Sequence, residues 1–280
     1  MEIITSIPGM QRWSEARRLE KKTIAFVPTM GFLHEGHLSL VRAGKRHGDV
    51  VVVSIFVNPI QFNQQSDFAL YPRNVEQDRR LLEEIATDVL FLPEAADMYP
   101  AGFQTTVEVD TVSRPLCGAF RPGHFRGVAT VVAKLFNIVK PHVALFGEKD
   151  FQQCVVIKRM VKDLNFDLQI LTMPTIREPD GLAMSSRNAR LSPAERQSSL
   201  CLSRALQKAQ ALVSQGERRS AVILQVVRDE IAKEPQVRIE YASLSHPETL
   251  EEVAEVAGPT LLALAAWVGE VRLIDNCVLQ

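Results

Sequence analysis

The sequence predicts an α/β fold: a parallel sheet flanked by helices, followed by a smaller C-terminal α+β domain. Three observations point to it. Apolar runs of strand length alternate with helix-period segments through the first two thirds of the chain. One of these runs, Val50-Val51-Val52-Val53-Ser54-Ile55-Phe56-Val57, is apolar almost throughout, the pattern of a strand covered on both faces. In the last hundred or so residues the alternation gives way to helices followed by strands.

In chain order, the periodicity predicts helix Gln11–Lys21, strand Ile24–Val27, helix Glu35–Lys45, strand Val50–Val57, helix Val75–Ile85 and strand Asp88–Leu92. Helix Gly127–Val139, strand His142–Phe146, helix Phe151–Leu164 and strand Leu168–Leu171 complete the first domain. Pro174, Pro179, Asp180 and Gly181 punctuate the pattern, so the domains are expected to be 1–175 and 176–280. The second holds helices near Pro193–Ser214 and Arg219–Lys233, then strands Arg238–Leu244, Leu261–Val268 and Val271–Ile274. No internal repeat or low-complexity tract interrupts this plan.

Composition narrows the function classes. At 280 residues, 46% hydrophobic and 23% charged, the chain is an ordinary globular protein long enough for two cores. A formal charge of -1 leaves no electrostatic footprint for nucleic acid, so a small anionic ligand fits better than a polyanion. Cys117, Cys154, Cys201 and Cys277 form no Cys-x-x-Cys pair and read as reduced thiols. There is neither a basic segment leading into a long apolar run at the N-terminus nor an uncharged stretch of membrane-spanning length. A cytoplasmic location is expected, with no membrane partner.

The most informative stretch is Met30-Gly31-Phe32-Leu33-His34-Glu35-Gly36-His37, because it sits where the strand Ile24–Val27 becomes the helix Glu35–Lys45. The first N–H groups of a helix have no internal partner, and its peptide dipoles sum to roughly half a positive charge there, so an anion is the natural guest. Gly31 and Gly36 allow positive φ and close approach. His34 and His37, one helical turn apart, offer two imidazoles to one phosphate, each a hydrogen-bond donor with part of a positive charge. Two other readings stay open: imidazoles that cap the helix, and a metal site. The zinc-protease pattern His-Glu-x-x-His spaces its histidines one residue further apart.

Four further segments carry chemistry. Asn58-Pro59-Ile60-Gln61-Phe62 follows the second strand and offers amides that donate and accept at once, as a hydroxyl-bearing carboxylic acid requires; a polar loop is the plain alternative. Arg121-Pro122-Gly123-His124-Phe125-Arg126-Gly127 suits a second anionic group or simply a helix start. Gly147-Glu148-Lys149-Asp150 follows the strand His142–Phe146 and supplies an ammonium and a carboxylate, with Gln153 a turn further on; an exposed polar turn is the alternative. Met184-Ser185-Ser186-Arg187 brings hydroxyls and a guanidinium to a loop after the domain join. Neither G-x-G-x-x-G nor G-x-x-x-x-G-K-[ST] occurs, which disfavours a dinucleotide-binding dehydrogenase and a P-loop enzyme.

Taken together these segments resemble the pantothenate synthetase family. Pro28-Thr29-Met30-Gly31 with His34-Glu35-Gly36-His37, Asn58-Pro59-Ile60-Gln61-Phe62, Tyr71-Pro72-Arg73, Arg121-Pro122-Gly123-His124-Phe125, Gly147-Glu148-Lys149-Asp150 with Gln152-Gln153, and Asp180 to Asn188 carry the likeness. It covers about residues 24 to 191 and fades in the last domain. The resemblance implies a Rossmann-like first domain that binds nucleotide and pantoate, and a smaller lid domain. It also implies ATP, pantoate and β-alanine as substrates, with Mg²⁺ and a homodimer. It implies that Met30 to His37, Gly147 to Asp150, Ile176 and Met184 to Arg187 contact ATP, with His34, His37, Lys149 and Arg187 catalytic and Asp150 on the metal. It implies that Gln61 and Gln153 hold pantoate and that Gln61 also lies against β-alanine; Asn58 and Arg121, from the chemistry of their own segments, are candidates for binding the substrate acid as well.

The alternative within the same superfamily is an adenylyltransferase of the phosphopantetheine or nicotinamide mononucleotide type, which shares His-x-Gly-His but releases no free AMP. A synthetase acting on tRNA needs a basic face that the charge balance does not supply. A non-catalytic nucleotide-binding or metal-sensing module leaves the surplus of apt side chains unused.

Overall fold

The computed structural model describes residues 1–63 and 65–280. Two compact units are present: Met1–Asp110, Arg121–Glu148 and Val156–Pro174 form the first, and Thr111–Phe120, Lys149–Val155 and Thr175–Gln280 the second.

In chain order the first part of the molecule comprises β1 (Glu2–Ile4), α1 (Ile7–Leu19), β2 (Ile24–Thr29), α2 (Glu35–His47), β3 (Val50–Ile55), α3 (Gln65–Ala69), α4 (Val75–Glu84), β4 (Val89–Phe91) and α5 (Ala95–Met98). There follow α6 (Cys117–Phe120), α7 (His124–Val139), β5 (Val143–Gly147), α8 (Phe151–Asp163) and β6 (Gln169–Met173). The six strands make one sheet in the order β1-β4-β3-β2-β5-β6, and every pairing is parallel. This is the α/β class that the apolar runs predict. All six residues of β3 are buried, as a doubly covered strand requires. The chain steps outward from β2 through β3 to β4, then returns to place β5 on the other side of β2. The sheet therefore has its switch point between β2 and β5, where open α/β sheets bind their ligands beyond the carboxyl ends of the strands.

Several boundaries differ from the periodic reading, each for a local reason. Strand β1, unpredicted, has only three residues, too few to show a period, and it exists through its parallel register with β4. Helix α1 starts at Ile7 because Ser6 caps it, its Oγ accepting from Gly9 N at 3.2 Å, with Pro8 in the first turn. Helix α7 begins at His124, earlier than the expected Gly127, because Gly123 adopts φ +78 and lets the chain turn in sooner.

The second unit contains α9 (Pro193–Ser198), α10 (Leu200–Ser214), α11 (Ser220–Ile231), β7 (Val237–Ser245), β8 (Thr260–Val268) and β9 (Val271–Leu279). The strands form an antiparallel sheet in the order β7-β8-β9. Leu202, Leu206, Ile223 and Val227 from the helices pack with Leu262, Leu264 and Ala266 from β8 in one apolar core. The single helix expected over Pro193–Ser214 is two, meeting at Ser199, whose Oγ donates back to the Arg196 carbonyl at 2.7 Å.

The charged staple of this unit is Glu230 on α11, nearly buried, which accepts from Arg204 Nε at 3.0 Å, Lys208 Nζ at 2.6 Å and Lys233 Nζ at 2.6 Å. The Lys208 and Lys233 ammoniums, joined by Arg204, hold its carboxyl down to about 2 from an ordinary 4.5. The unfolded chain binds this proton near 4.5 and the native chain only near 2, so the stabilisation is present above the first value and is lost as pH falls toward the second. Thermal melts across that acidic window are expected to show a steeper loss of melting temperature for the parent than for Glu230→Gln. Parallel curves would reject the assignment.

Candidate active site

The turn between β2 and α2 is built around backbone donors whose acceptors are side chains. Gly31 sits at φ +81 and Phe32 at φ +52, two successive left-handed residues that swing Phe32 N and Leu33 N to one side. A Cβ at Gly31 would meet Ile55 Cγ2 at 2.9 Å and Asp78 Oδ2 at 3.0 Å, so only glycine fits. Asp78, buried on α4, accepts from Phe32 N at 2.8 Å and from Leu33 N at 2.6 Å. Burial raises the pKa of that carboxyl while the two N–H donors pull it down. Asp78 was not among the residues singled out from sequence. Only its place one turn after the helix cap Asn74 hints at it, and any exposed carboxylate on a helix looks the same in a single sequence.

The two imidazoles cap the helix. His34 is its N-cap, with Nδ1 accepting from Gly36 N at 3.1 Å, while His37 Nδ1 accepts from His34 N at 3.3 Å. The rings lie 4.1 Å apart between centroids. The capping and phosphate readings are thus compatible, because they use different nitrogens. A ring whose Nδ1 accepts carries its proton on Nε2 when neutral, so each imidazole presents an Nε2–H donor. A doubly protonated ring would lose its cap bond, because both of its nitrogens would then be donors. Glu35 is exposed and ion-paired with Arg42. Among the described residues no group of three or more His, Cys, Asp and Glu side chains is arranged to hold a metal ion.

After β3, Gln61 forms a hub. Its Oε1 accepts from Asn58 Nδ2 at 2.9 Å and its Nε2 donates to Met30 Sδ at 3.2 Å, which ties it to the β2–α2 turn. Its backbone carbonyl accepts from His124 Nδ1 at 2.8 Å and from Arg121 at 3.4 Å. Asn58 spends its amide inside the protein: Nδ2 also donates to the Gly127 carbonyl at 3.1 Å, and Oδ1 accepts from Tyr99 Oη at 2.7 Å. Burial raises the pKa of Tyr99 and keeps it a donor. Helix α7 comes close enough that a Cβ on Gly127 would lie 2.5 Å from Ile60 O and 2.7 Å from Gln61 Cα. Tyr99 and the buried His124 ring are further members of this cluster, and Tyr99 stands outside every motif read from the sequence.

Gly147 ends β5 and Glu148 follows it, so the chain leaves the sheet there at the strand adjacent to β2, on its carboxyl side. Lys149 and Asp150 belong to the second unit, with Lys149 Nζ 3.4 Å from Asp150 Oδ2. In the Gln152-Gln153 pair it is Gln152 that is buried, its Oε1 accepting from Cys117 N at 3.0 Å and its Nε2 donating to Pro115 O at 2.7 Å; Gln153 is half-buried on α8. Ile176 and Met184 face each other across a short hairpin, with Met184 N donating to Ile176 O at 3.0 Å. Ser185 caps the 3-10 turn Ser186–Arg190, its Oγ accepting from Arg187 N at 3.2 Å.

A parallel sheet with a helix-capped, glycine-dependent turn at its switch point defines a nucleotide-binding α/β enzyme. Comparison with known proteins sharpens this. The family model described as pantoate-beta-alanine ligase matches residues 2–278, so the likeness extends beyond residues 24 to 191, which carry the motifs. The chain is 58% identical over 279 residues to the pantothenate synthetase of Geobacter sulfurreducens, covering 100% of this chain and 99% of that one. It superposes on the crystal structure of pantothenate synthetase from Thermus thermophilus with a TM-score of 0.94 at 43% identity, covering 99% of each chain. A pantoate-beta-alanine ligase from Francisella tularensis, solved with β,γ-ATP and β-alanine, matches with a TM-score of 0.84 at 34% identity over 99% of this chain and 97% of that one. The chain belongs to the pantoate–β-alanine ligase family and is a ligase.

The double duty of His34 separates by substitution. His34→Asn retains a strong N-cap and loses the Nε2–H donor, whereas His34→Ala loses both. Turnover is expected to fall on the order of 10²–10³ in each variant. Only His34→Ala is expected to lose stability, by roughly 0.5–2 kcal/mol in urea unfolding. Equal stability losses in the two variants would remove the capping role.

Proposed function

We propose that the chain condenses pantoate with β-alanine in an ATP-dependent reaction that passes through pantoyl adenylate and releases AMP and pyrophosphate. The observation that carries the reading is the contact between Gln61 Nε2 and Met30 Sδ, 3.2 Å, which sets the amide suited to a hydroxy acid beside the turn suited to phosphate.

A carboxylate is a poor electrophile, so the pantoate oxygen first attacks the α-phosphorus of ATP in line, and the bond to pyrophosphate breaks. Negative charge grows on the phosphate oxygens and on the leaving pyrophosphate, and donors aimed there lower the barrier. His34 and His37 supply Nε2–H donors, and the resemblance gives His37 the acid role. Lys149 and Arg187 supply cations, and Met30 to His37, Gly147 to Asp150, Ile176 and Met184 to Ser186 hold the rest of the nucleotide. Gln61 and Gln153 hold the acid, with Arg121 and Asn58 behind Gln61. The neutral amine of β-alanine then attacks the acyl carbon, AMP departs with the electrons of the acyl–oxygen bond, and the amine gives up a proton. No covalent bond to the enzyme is required.

Asp150 is a hard oxygen donor on a 3-10 turn, the kind that takes Mg²⁺ together with substrate phosphates, and the ion would neutralise phosphate charge there. We also propose that the protein works as a homodimer in the cytoplasm, with no nucleic-acid or membrane partner. No helix among the described residues is long and apolar enough to cross a membrane.

AMP release measured with ATP, β-alanine and pantoate tests the reaction. Release is expected to require pantoate, which also separates this ligase from an adenylyltransferase. An unchanged rate without pantoate would overturn the proposal. His37→Ala and Lys149→Ala are expected to raise the barrier by roughly 2.7–4 kcal/mol each, with the fold retained; near-parental kinetics would remove the residue from the mechanism.

A further inference from the structure

In the second unit, two consecutive residues of the last strand reach two segments far away in the chain. Asn276 donates from Nδ2 to the backbone carbonyl of Lys149 at 2.9 Å. Its neighbour Asp275, almost fully buried, takes Arg177 in a two-pronged pair, Nη1 to Oδ2 at 2.7 Å and Nη2 to Oδ1 at 2.9 Å. The same Asp275 oxygen, Oδ1, accepts from Asn276 N at 2.8 Å, which stiffens the dipeptide itself.

Arg177 in turn holds a hairpin. Its Nη1 donates to Gly181 O at 3.0 Å, and Arg177 bridges Ala183 across the turn. Glu178 N donates to Leu182 O at 2.8 Å and Met184 N to Ile176 O at 3.0 Å, so the ends of the hairpin are Ile176 and Met184. Gly181, at φ +97, makes the reversal.

We infer that Asp275 and Asn276 are positioning residues for nucleotide binding, holding the Lys149 corner and the Ile176–Met184 hairpin to one rigid strand. This rests on the reading that Lys149 and the hairpin ends contact ATP. The physical argument concerns what such groups do. An ion pair in which only one partner is buried, here Asp275, adds little net stability, and β9 already lies against an apolar core through Leu273 and Leu279. A forked guanidinium–carboxylate pair instead fixes relative position in two directions. An amide that binds a main-chain carbonyl likewise fixes the peptide from which the Lys149 side chain departs. Strand β9 is hydrogen-bonded along its length to β8, from Thr260–Leu279 to Val268–Val271, and so gives both anchors a firm base.

The test is steady-state kinetics on Asn276→Asp, which keeps the side chain's shape and removes the donor, and on Asp275→Asn, which weakens the fork. Each is expected to raise KM for ATP roughly three- to tenfold, the worth of a hydrogen bond or two, with KM for pantoate unchanged. Because Asn276 acts through Lys149, Asn276→Asp combined with Lys149→Ala is expected to lose no more than Lys149→Ala alone. If Asn276→Asp fails to unfold cooperatively, Asn276→Ser, with a small donor in place, is read for the same split between substrates. A parental KM for ATP in folded variants, equal rises for both substrates, or additive losses overturns the inference. Parental kinetics in Lys149→Ala itself would place the fault in the site reading beneath it, and the inference falls with it.

Discussion

The backbone N–H groups beyond the end of β2, which have no acceptor within the strand or the helix, are the constraint around which the β2–α2 turn is arranged. A strand that turns directly into a helix leaves several backbone donors pointing at one spot, and each must find an acceptor or a ligand. Here the supply is divided. Asp78 takes Phe32 N and Leu33 N, and the Nδ1 atoms of His34 and His37 take Gly36 N and His34 N. The division has a chemical consequence. Using the imidazole Nδ1 atoms as internal acceptors leaves Nε2 as the donor of each neutral ring, so a backbone requirement determines which nitrogen can donate. A histidine pair that looks in sequence like two loose imidazoles is thereby oriented by the backbone it caps.

The same economy appears around Gln61. Four protein groups restrain one amide and its peptide: Asn58, Met30, His124 and Arg121. The restraint needs helix α7 at near contact, and Gly127 permits it by having no side chain. Catalysis of acyl transfer gains from such preorganisation, because a side chain that is already placed loses no freedom when the acid arrives. The surrounding aromatic and polar cluster, with Tyr99 donating to Asn58, extends the restraint one layer outward.

Legibility in the sequence followed the range of the interaction concerned. Doubly covered strands such as β3 announce themselves by composition, and the β2–α2 turn by its glycines and histidines, because those signals are local. Strand β1 was invisible, since three residues have no period and its existence depends on β4, far along the chain. The capping roles of His34 and His37 depend on the extended backbone at His34, which the local sequence does not specify. Asp78 and Tyr99 lay beyond reach for a different reason. A carboxylate on an amphipathic helix and a tyrosine before Pro100 carry no mark of the partner, distant in the chain, that gives them meaning. In the Gln152-Gln153 pair, sequence could not say which amide is spent internally; burial does.

The last domain reverses the usual relation between motif and importance. Its strands contain no recognisable chemical signature, and motif reading alone stops before them. Yet β9 carries a carboxylate and an amide inside an apolar strand, where unpaired polar groups would be costly. Both are satisfied by segments at the other end of a long stretch of chain, Lys149 and Arg177. Leaving either group unpaired would cost the desolvation of a buried carboxylate or amide, so the pairing favours the arrangement of strand, corner and hairpin in which both are satisfied. The family match over residues 2–278 includes that strand, well beyond the last of the motifs.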